Sequence, residues 1–352
     1  MTKIMAAFFL LFIFCDARAQ LKWYSAADPN LHFVGRIDFS NPQLPRFWAP
    51  GVYCTGKFKG DSALLLVKDE LLWGSNHNYI TIVMDDEPPV RLKLKSASDT
   101  VLLKAKKKKN THRFLFCKAT ESNIGYCVIA GIACEALLAP DPLPVRKIEF
   151  IGNSITCSAG SDASVIPCGK GKWEDQHNAY LGYAAITARA LQSQWQLTAV
   201  SGIGLMHSCC GLKITMPQVF DKISLHRDTI AWNFNRYQPD VVTVCLGQND
   251  GVQDSTEFCS RYISFLQTLR AYYPSAELIC LTSPMADAKL NNMQRNYLRK
   301  ITTAMQLQGD QKVSHYFFSK IYNKGCDWHP DLEEHALIAA ELTKYIRKRM
   351  KW

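Results

Sequence analysis

The chain has 352 residues, 47% of them hydrophobic and 20% charged, with 41 Lys and Arg against 31 Asp and Glu and with 13 Cys. The apolar content excludes a disordered chain, and the length excludes a small disulfide-stapled scaffold; two domains of roughly 100–200 residues are the natural expectation. A net charge of +10 raises nucleic-acid binding, and the Cys count raises a disulfide-rich secreted protein.

At the start, Lys3 precedes an apolar run from Ile4 to Cys15, and Ala17-Arg18-Ala19 follows. A positive start, a short apolar stretch and an A-x-A site predict a secretory signal peptide over residues 1–19, leaving Gln20 first. The run is shorter than the about 20 apolar residues a membrane-spanning helix needs. No later segment is long and apolar enough to cross, so the expectation is an exported protein, periplasmic or extracellular, without a membrane span. Cleavage would remove Lys3, Asp16 and Arg18, lowering the net charge by one to +9, and would remove Cys15, leaving 12 Cys. An even count permits disulfides in an exported protein without demanding them. Cys117, Cys127, Cys134, Cys245 and Cys280 lie in apolar runs, where a free Cys acts as a small hydrophobe. There is no C-x-x-C pair, and Cys209-Cys210 has no matching His cluster. The expectation is therefore no zinc or other metal, and no cofactor.

From about Leu31 to Ala139 the chain reads as short strands: Ala63–Val67, Tyr79–Met84, Val90–Leu94, Val101–Lys104, His112–Cys117 and Tyr126–Ile132. Turn signals such as Gly60-Asp61, Gly74-Ser75-Asn76 and Asp85-Asp86 separate them. Many short strands at regular spacing predict a β-sandwich or jelly roll over residues 20–139. The basic run Lys104–Lys109 lies between two strands and reads as a solvated hairpin loop rather than a nucleic-acid patch. Pro140, Pro142 and Pro144 then stiffen a linker over 140–144.

Beyond it, over 145–352, the pattern alternates. Strands are predicted at Val145–Ile151, Leu197–Val200, Asp240–Leu246, Leu278–Thr282 and Val313–Phe318. Helices are predicted at Ala179–Gln194, Thr256–Tyr272, Leu290–Leu307 and Leu332–Met350. That order implies an α/β domain with a parallel sheet flanked by helices, whose ligands bind at the carboxyl ends of the strands.

Four strand-end segments carry candidate chemistry. Phe150-Ile151-Gly152-Asn153-Ser154 places a Ser just past a tight turn, either as an exposed nucleophile or as the cap of the next helix. Ser201-Gly202-Ile203-Gly204 lets the backbone approach a ligand, or simply turns. Gly247-Gln248-Asn249-Asp250 sets an uncharged donor at the sheet edge, suited to an oxyanion hole, with Asp250 ordering the loop. Asp327-Trp328-His329 precedes the last helix; in an extended segment Asp327 could hold one imidazole nitrogen while the other faces Ser154. Each has a bland alternative, but the four together at the end of one sheet do not. His335, following Glu333 and Glu334, reads as a surface helix residue.

These residues resemble the SGNH, or GDSL-type, hydrolase superfamily. The stretches GNSITC, AYLGYAAITARALQSQWQLTAVSGIG, ITMPQVFDKI, PDVVTVCLGQNDG and CDWHP are similar more specifically to carbohydrate esterase family 2, whose members join an N-terminal jelly roll to an SGNH domain. The resemblance implies an acetyl esterase acting on O-acetylated xylan or glucomannan, with the 6-O position favoured. It implies Ser154 as nucleophile, His329 as base and Asp327 as its orienter, although some members work with a dyad. The backbone N–H groups of Ser154 and Gly202, with the Asn249 side chain, would form the oxyanion hole. Trp328 is a candidate sugar platform or a packing residue beneath the His329 loop. The expected partner is an acetylated polysaccharide or oligosaccharide, with no nucleic acid, and the expected state is a monomer. The loop SDASVIPCGKGKWEDQHN and the His207-Ser208-Cys209-Cys210 segment depart from the family pattern. A lipid- or thioester-directed hydrolase on the same scaffold and a non-catalytic glycan-binding protein are the other readings; the first is separated by acyl-chain length, and the second does not need the Ser, Gly, Asn, Asp and His set.

Overall fold

A computed structural model describes residues 20–107, 109–225 and 230–352. The expected signal peptide lies outside the described residues. Sixteen strands and six α-helices are present among the described residues.

The first eleven strands build the N-terminal domain. They are β1 (Lys22–Ser25), β2 (His32–Val34), β3 (Arg46–Phe47), β4 (Tyr53–Lys59), β5 (Ser62–Asp69), β6 (Tyr79–Met84), β7 (Val90–Lys93), β8 (Ser98–Lys104), β9 (Thr111–Lys118), β10 (Cys127–Cys134) and β11 (Ala136–Leu138). One antiparallel sheet runs β1-β10-β5-β8, with β3 also on β10. The other runs β11-β4-β9-β6-β7, with β2 on β4. Phe47, Leu65, Val67, Ile129 and Ile132 of the first sheet share one core with Cys54, Phe58, Ile82, Phe114 and Phe116 of the second. This is a β-sandwich, and burial alternates along β5 as a half-buried strand requires. The six strands predicted here are all present, and the lysine-rich segment does join β8 to β9.

The C-terminal domain holds β12 (Arg146–Gly152), β13 (Ser193–Ala199), β14 (Val241–Val244), β15 (Glu277–Leu281) and β16 (Val313–Tyr316). All pairs are parallel, in the order β13-β12-β14-β15-β16. Its helices are α1 (Ser154–Cys157), α2 (Tyr183–Ala190), α3 (Met216–Val219), α4 (Ser255–Tyr272), α5 (Ala288–Leu307) and α6 (Leu332–Met350). Tyr183, Ala184 and Ala188 of α2 and Ile338, Leu342 and Ile346 of α6 pack with Ile148, Phe150, Ile279 and Leu281. Phe258, Tyr262 and Leu266 of α4 and Leu298 and Ile301 of α5 pack with Ile151, Val242, Val244 and Leu278. Helices therefore cover both faces, and every residue of β15 is buried.

Two expectations change. The helix foreseen over Ala179–Gln194 is shorter: Gly182 caps α2, and Gln192 adopts a left-handed φ of 52°, so the chain turns into β13 at Ser193. His335 is fully buried rather than at the surface. The first turn of α6 packs onto α2, where His335 Nδ1 accepts the Tyr183 N–H at 3.1 Å and its ring stacks on the Tyr183 ring.

The domains are joined through buried polar chemistry. Arg36, completely buried, reaches Glu149 on β12 at 3.0 Å and Thr198 on β13 at 3.1 Å. It also donates to the carbonyl of Lys222 at 2.9 Å. Trp195 Nε1 donates to Gly51 O at 2.9 Å. The sandwich thus holds the two strands whose ends lead into the site.

Candidate active site

The strand β12 ends at Gly152, where any Cβ would collide with the Thr156 side chain. Asn153 caps α1 by accepting the Ile155 N–H at 3.2 Å, so Ser154 is the first residue of a one-turn helix. Of the two roles considered for Ser154, the cap belongs to its neighbour. Ser154 Oγ lies 2.8 Å from Nε2 of His329, and the two residues are only 7% and 9% exposed. Burial lowers the His329 pKa from 6.5, opposed by the carbonyls of Cys326 and Asp327 and by the Asp327 and Glu121 charges. The imidazole is therefore neutral around pH 7 and able to accept a proton.

The other ring nitrogen of His329 does not meet the expected partner. Nδ1 lies 3.2 Å from the carbonyl oxygen of Cys326. Asp327 sits in a left-handed conformation, φ 50°, and is exposed. The segment turns instead of extending, so the two-residue spacing no longer puts Asp327 and His329 on one side. Among the described residues a backbone carbonyl, not the Asp327 carboxylate, orients the ring.

Gly202 follows β13 at a φ of +80°, a left-handed conformation that favours glycine, with Cys209 Sγ 3.4 Å from where a Cβ would stand. Asn249 donates one amide N–H to Ile203 O at 2.7 Å, which leaves its second N–H for the cavity. Asp250 accepts the N–H groups of Leu205, Met206 and His207 at 2.9, 2.6 and 3.0 Å, so it orders the loop after Gly202. Ser154, Gly202, Asn249 and His329 line one cavity of about 570 Å³.

Trp328 does not line it. It is 75% exposed, so it is not buried beneath the His329 loop either. The aromatic wall is Trp173, whose ring lies edge-on 5.6 Å from the His329 ring. Trp173 comes from the loop that departs from the family pattern. That loop is bound on both sides: the Cys168–Cys326 disulfide ties it to the His329 segment, and Asp175 accepts from Tyr79 at 2.7 Å and from Lys93 at 2.8 Å. The adjacent Cys209 and Cys210, which are also joined, form another part of the wall.

Glu121 and Asn123, from the turn after β9 in the sandwich, line the same cavity. Glu121 is fully buried and accepts from Ser201 N at 2.7 Å and from Trp173 Nε1 at 2.9 Å. Sequence reasoning missed Glu121 and Asn123 because a polar A-T-E-S-N turn between two strands carries no local mark of a site. Trp173 was marked only by lying in a segment without a family pattern.

A family model described as "Carbohydrate esterase 2 N-terminal" matches residues 33–142, and one described as "GDSL-like Lipase/Acylhydrolase family" matches residues 150–331. The chain is 31% identical over 92% of its length to the cellulase/esterase CelE of Acetivibrio thermocellus, of which it spans 40%. It is 26% identical over 93% of its length to an acetylxylan esterase / glucomannan deacetylase of Cellvibrio japonicus, covering 91% of that protein. The structure of a family two carbohydrate esterase from Clostridium thermocellum in complex with cellohexaose superimposes with a TM-score of 0.84 and 29% identity. That match covers 92% of this chain and 99% of the other. A cavity at the carboxyl end of a parallel sheet and the match over residues 150–331 place the chain in the GDSL-like lipase/acylhydrolase family, with an N-terminal sandwich similar to that of the family two carbohydrate esterases.

Proposed function

We propose that the protein removes O-acetyl groups from plant polysaccharides such as xylan or glucomannan, or from their oligosaccharides, by a Ser154–His329 acyl-enzyme mechanism. The observation that carries this reading is the 2.8 Å contact between Ser154 Oγ and His329 Nε2 inside a cavity shared with Gly202 and Asn249. His329 takes the Ser154 proton as Oγ attacks the acetyl carbonyl. The oxyanion forms against the Ser154 and Gly202 N–H groups and the free Asn249 N–H. His329 then protonates the departing sugar oxygen as the acyl C–O bond breaks. Water, deprotonated by the same ring, attacks the acetyl-serine, and the proton returns to Ser154 as acetate leaves.

In this reading the enzyme works as a dyad. The Cys326 carbonyl holds Nδ1–H, which fixes the tautomer that leaves Nε2 free to accept. Among the described residues the aliphatic lining is limited to Leu212 and Met285, which favours a short acyl group over a lipid chain. Preference for a primary 6-O-acetyl group belongs to the same proposal, since that ester stands one carbon further from the ring. So does export as a monomer: the Lys3 to Ala19 pattern and the Cys168–Cys326 disulfide both suit an oxidising compartment. The curated names of the two relatives, an esterase and an acetylxylan esterase / glucomannan deacetylase, support the substrate class.

The test is acetate release from acetylated xylan, acetylated glucomannan and 2-, 3- and 6-O-acetyl hexoses, with p-nitrophenyl esters of rising chain length alongside. The expected pattern is rapid release from the acetylated glycans, fastest from 6-O, and collapse on long acyl esters. Preference for long acyl chains would assign the site to lipids instead.

A further inference from the structure

We infer that Glu121 is a positioning residue of the esterase site: one buried carboxylate, delivered by the N-terminal sandwich, that holds the oxyanion loop and the Trp173 wall in register with Ser154 and His329. The inference rests on the esterase reading above and makes the sandwich a component of the site rather than an appended module.

The geometry is convergent. Glu121 Oε2 accepts the N–H of Ser201, the residue immediately before the oxyanion donor Gly202, at 2.7 Å. Its Oε1 accepts the indole N–H of Trp173 at 2.9 Å, and that ring stands against His329. The Cys157 thiol, at the end of the one-turn helix that Ser154 begins, points at Oε2 from 3.8 Å. Three separate segments of the catalytic domain therefore meet on two oxygens from the other domain. A carboxylate is suited to this because both oxygens only accept, whereas an amide would turn a donor toward one of these N–H groups. The turn that carries it is itself anchored: buried Lys118 donates to the carbonyls of Thr120 at 2.8 Å and Glu121 at 2.9 Å. A structural residue at a domain seam would not need to bond the residue before the oxyanion donor and the residue beside the base with the same group.

The charge has a second consequence. The ionisable groups around His329 are Asp327 on its own turn, Glu121 from the sandwich, His177 from the Trp173 loop and His335 on α6. Burial pulls the two neighbouring histidines down, to about 4 and about 3, so both are neutral through the acid limb of activity. The two carboxylates remain, and each favours the protonated form of His329. Removing the Glu121 charge therefore moves the acid limb of kcat/KM to lower pH.

The experiment uses the full-length enzyme with p-nitrophenyl acetate. Glu121→Gln is expected to lower kcat about tenfold or more with KM little changed, because the displaced donors act in the transition state. Its acid limb should lie at lower pH than the parent's. Glu121→Asp keeps the charge but cannot span both donors, so it should lose kcat with the limb in place. A Glu121→Gln kcat within about twofold of the parent, or a limb that does not move, would overturn the inference. If Glu121→Gln does not fold, Glu121→Asp decides: parent-like kcat overturns the positioning role. Ser154→Ala separates this from the underlying reading. Retained hydrolysis there removes the esterase site itself, whereas an inactive Ser154→Ala beside a parent-like Glu121→Gln removes only the role of Glu121.

Discussion

The two domains treat their strands differently. In the sandwich, β5 alternates buried and half-buried residues over its whole length. In the catalytic domain, β14 and β15 are buried at every position because helices cover both faces. A sheet hidden on both sides can meet solvent only at its ends, and the cavity-lining Ser154, Gly202 and Asn249 lie there, after β12, β13 and β14. The sandwich strands carry none of the cavity lining. Their domain reaches the site through a turn, at Glu121 and Asn123, and through side chains of β6 and β7 that hold the Trp173 loop. Strand ends place Ser154, Gly202 and Asn249 in the cavity, the turn before α6 places His329, and loops from both domains supply the walls.

The sharpest way to test the strand-end half is Asn249→Ala. Loss of one oxyanion donor costs roughly 10²–10³ in kcat. Asn249 also ties Ile203 O, so the expected result is that loss with an unchanged thermal midpoint within a few degrees, read by parallel kinetics and calorimetry. A variant of parent-like rate would take the strand end after β14 out of the chemistry.

Those reacting groups were legible because a buried strand followed by Gly and a short polar residue is a local pattern. Ser154, Gly202 and Asn249 sit at such places, His329 was marked by the Asp-x-His turn before the last helix, and the structure brings all four to one cavity. The walls were not legible, because they depend on contacts distant in sequence. Glu121 meets Ser201 80 residues away, and Trp173 is positioned by a disulfide between Cys168 and Cys326. Asp327 was misplaced for a different reason. Its two-residue spacing from His329 implies a shared side only in an extended chain, and residues Cys326–Trp328 form a turn. His335 shows that adjacent charges do not guarantee exposure: Glu334 is buried beside it, accepting the N–H of Lys324 at 2.8 Å.

Acidification probes the packing behind the walls. His177 and His335 are fully buried and held neutral, near 4 and 3 against 6.5 when unfolded. The unfolded chain then binds more protons than the native one as pH falls below 6.5. Stability is full above that value and declines below it, by up to about 1.4 kcal/mol per pH unit for each histidine. Urea midpoints from pH 7.5 to 4.5 should show the decline, and His335→Gln should flatten it. A flat profile in the parent would contradict the burial of both rings.

The smallest expected effect concerns Asp327. With Nδ1 held by the Cys326 carbonyl, Asp327→Asn should reduce kcat less than about tenfold. A loss on the order of 10⁴, as in a buried triad aspartate, would restore the carboxylate as orienter.

The central claim is that Ser154 becomes acylated. Acid quenching of the enzyme during turnover of p-nitrophenyl acetate, followed by digestion and mass spectrometry, reads this directly. One acetyl group is expected on the peptide bearing Ser154, absent in Ser154→Ala and accumulating when deacylation is slowed at low pH. An acetyl group on another residue, or steady hydrolysis by Ser154→Ala, would contradict it.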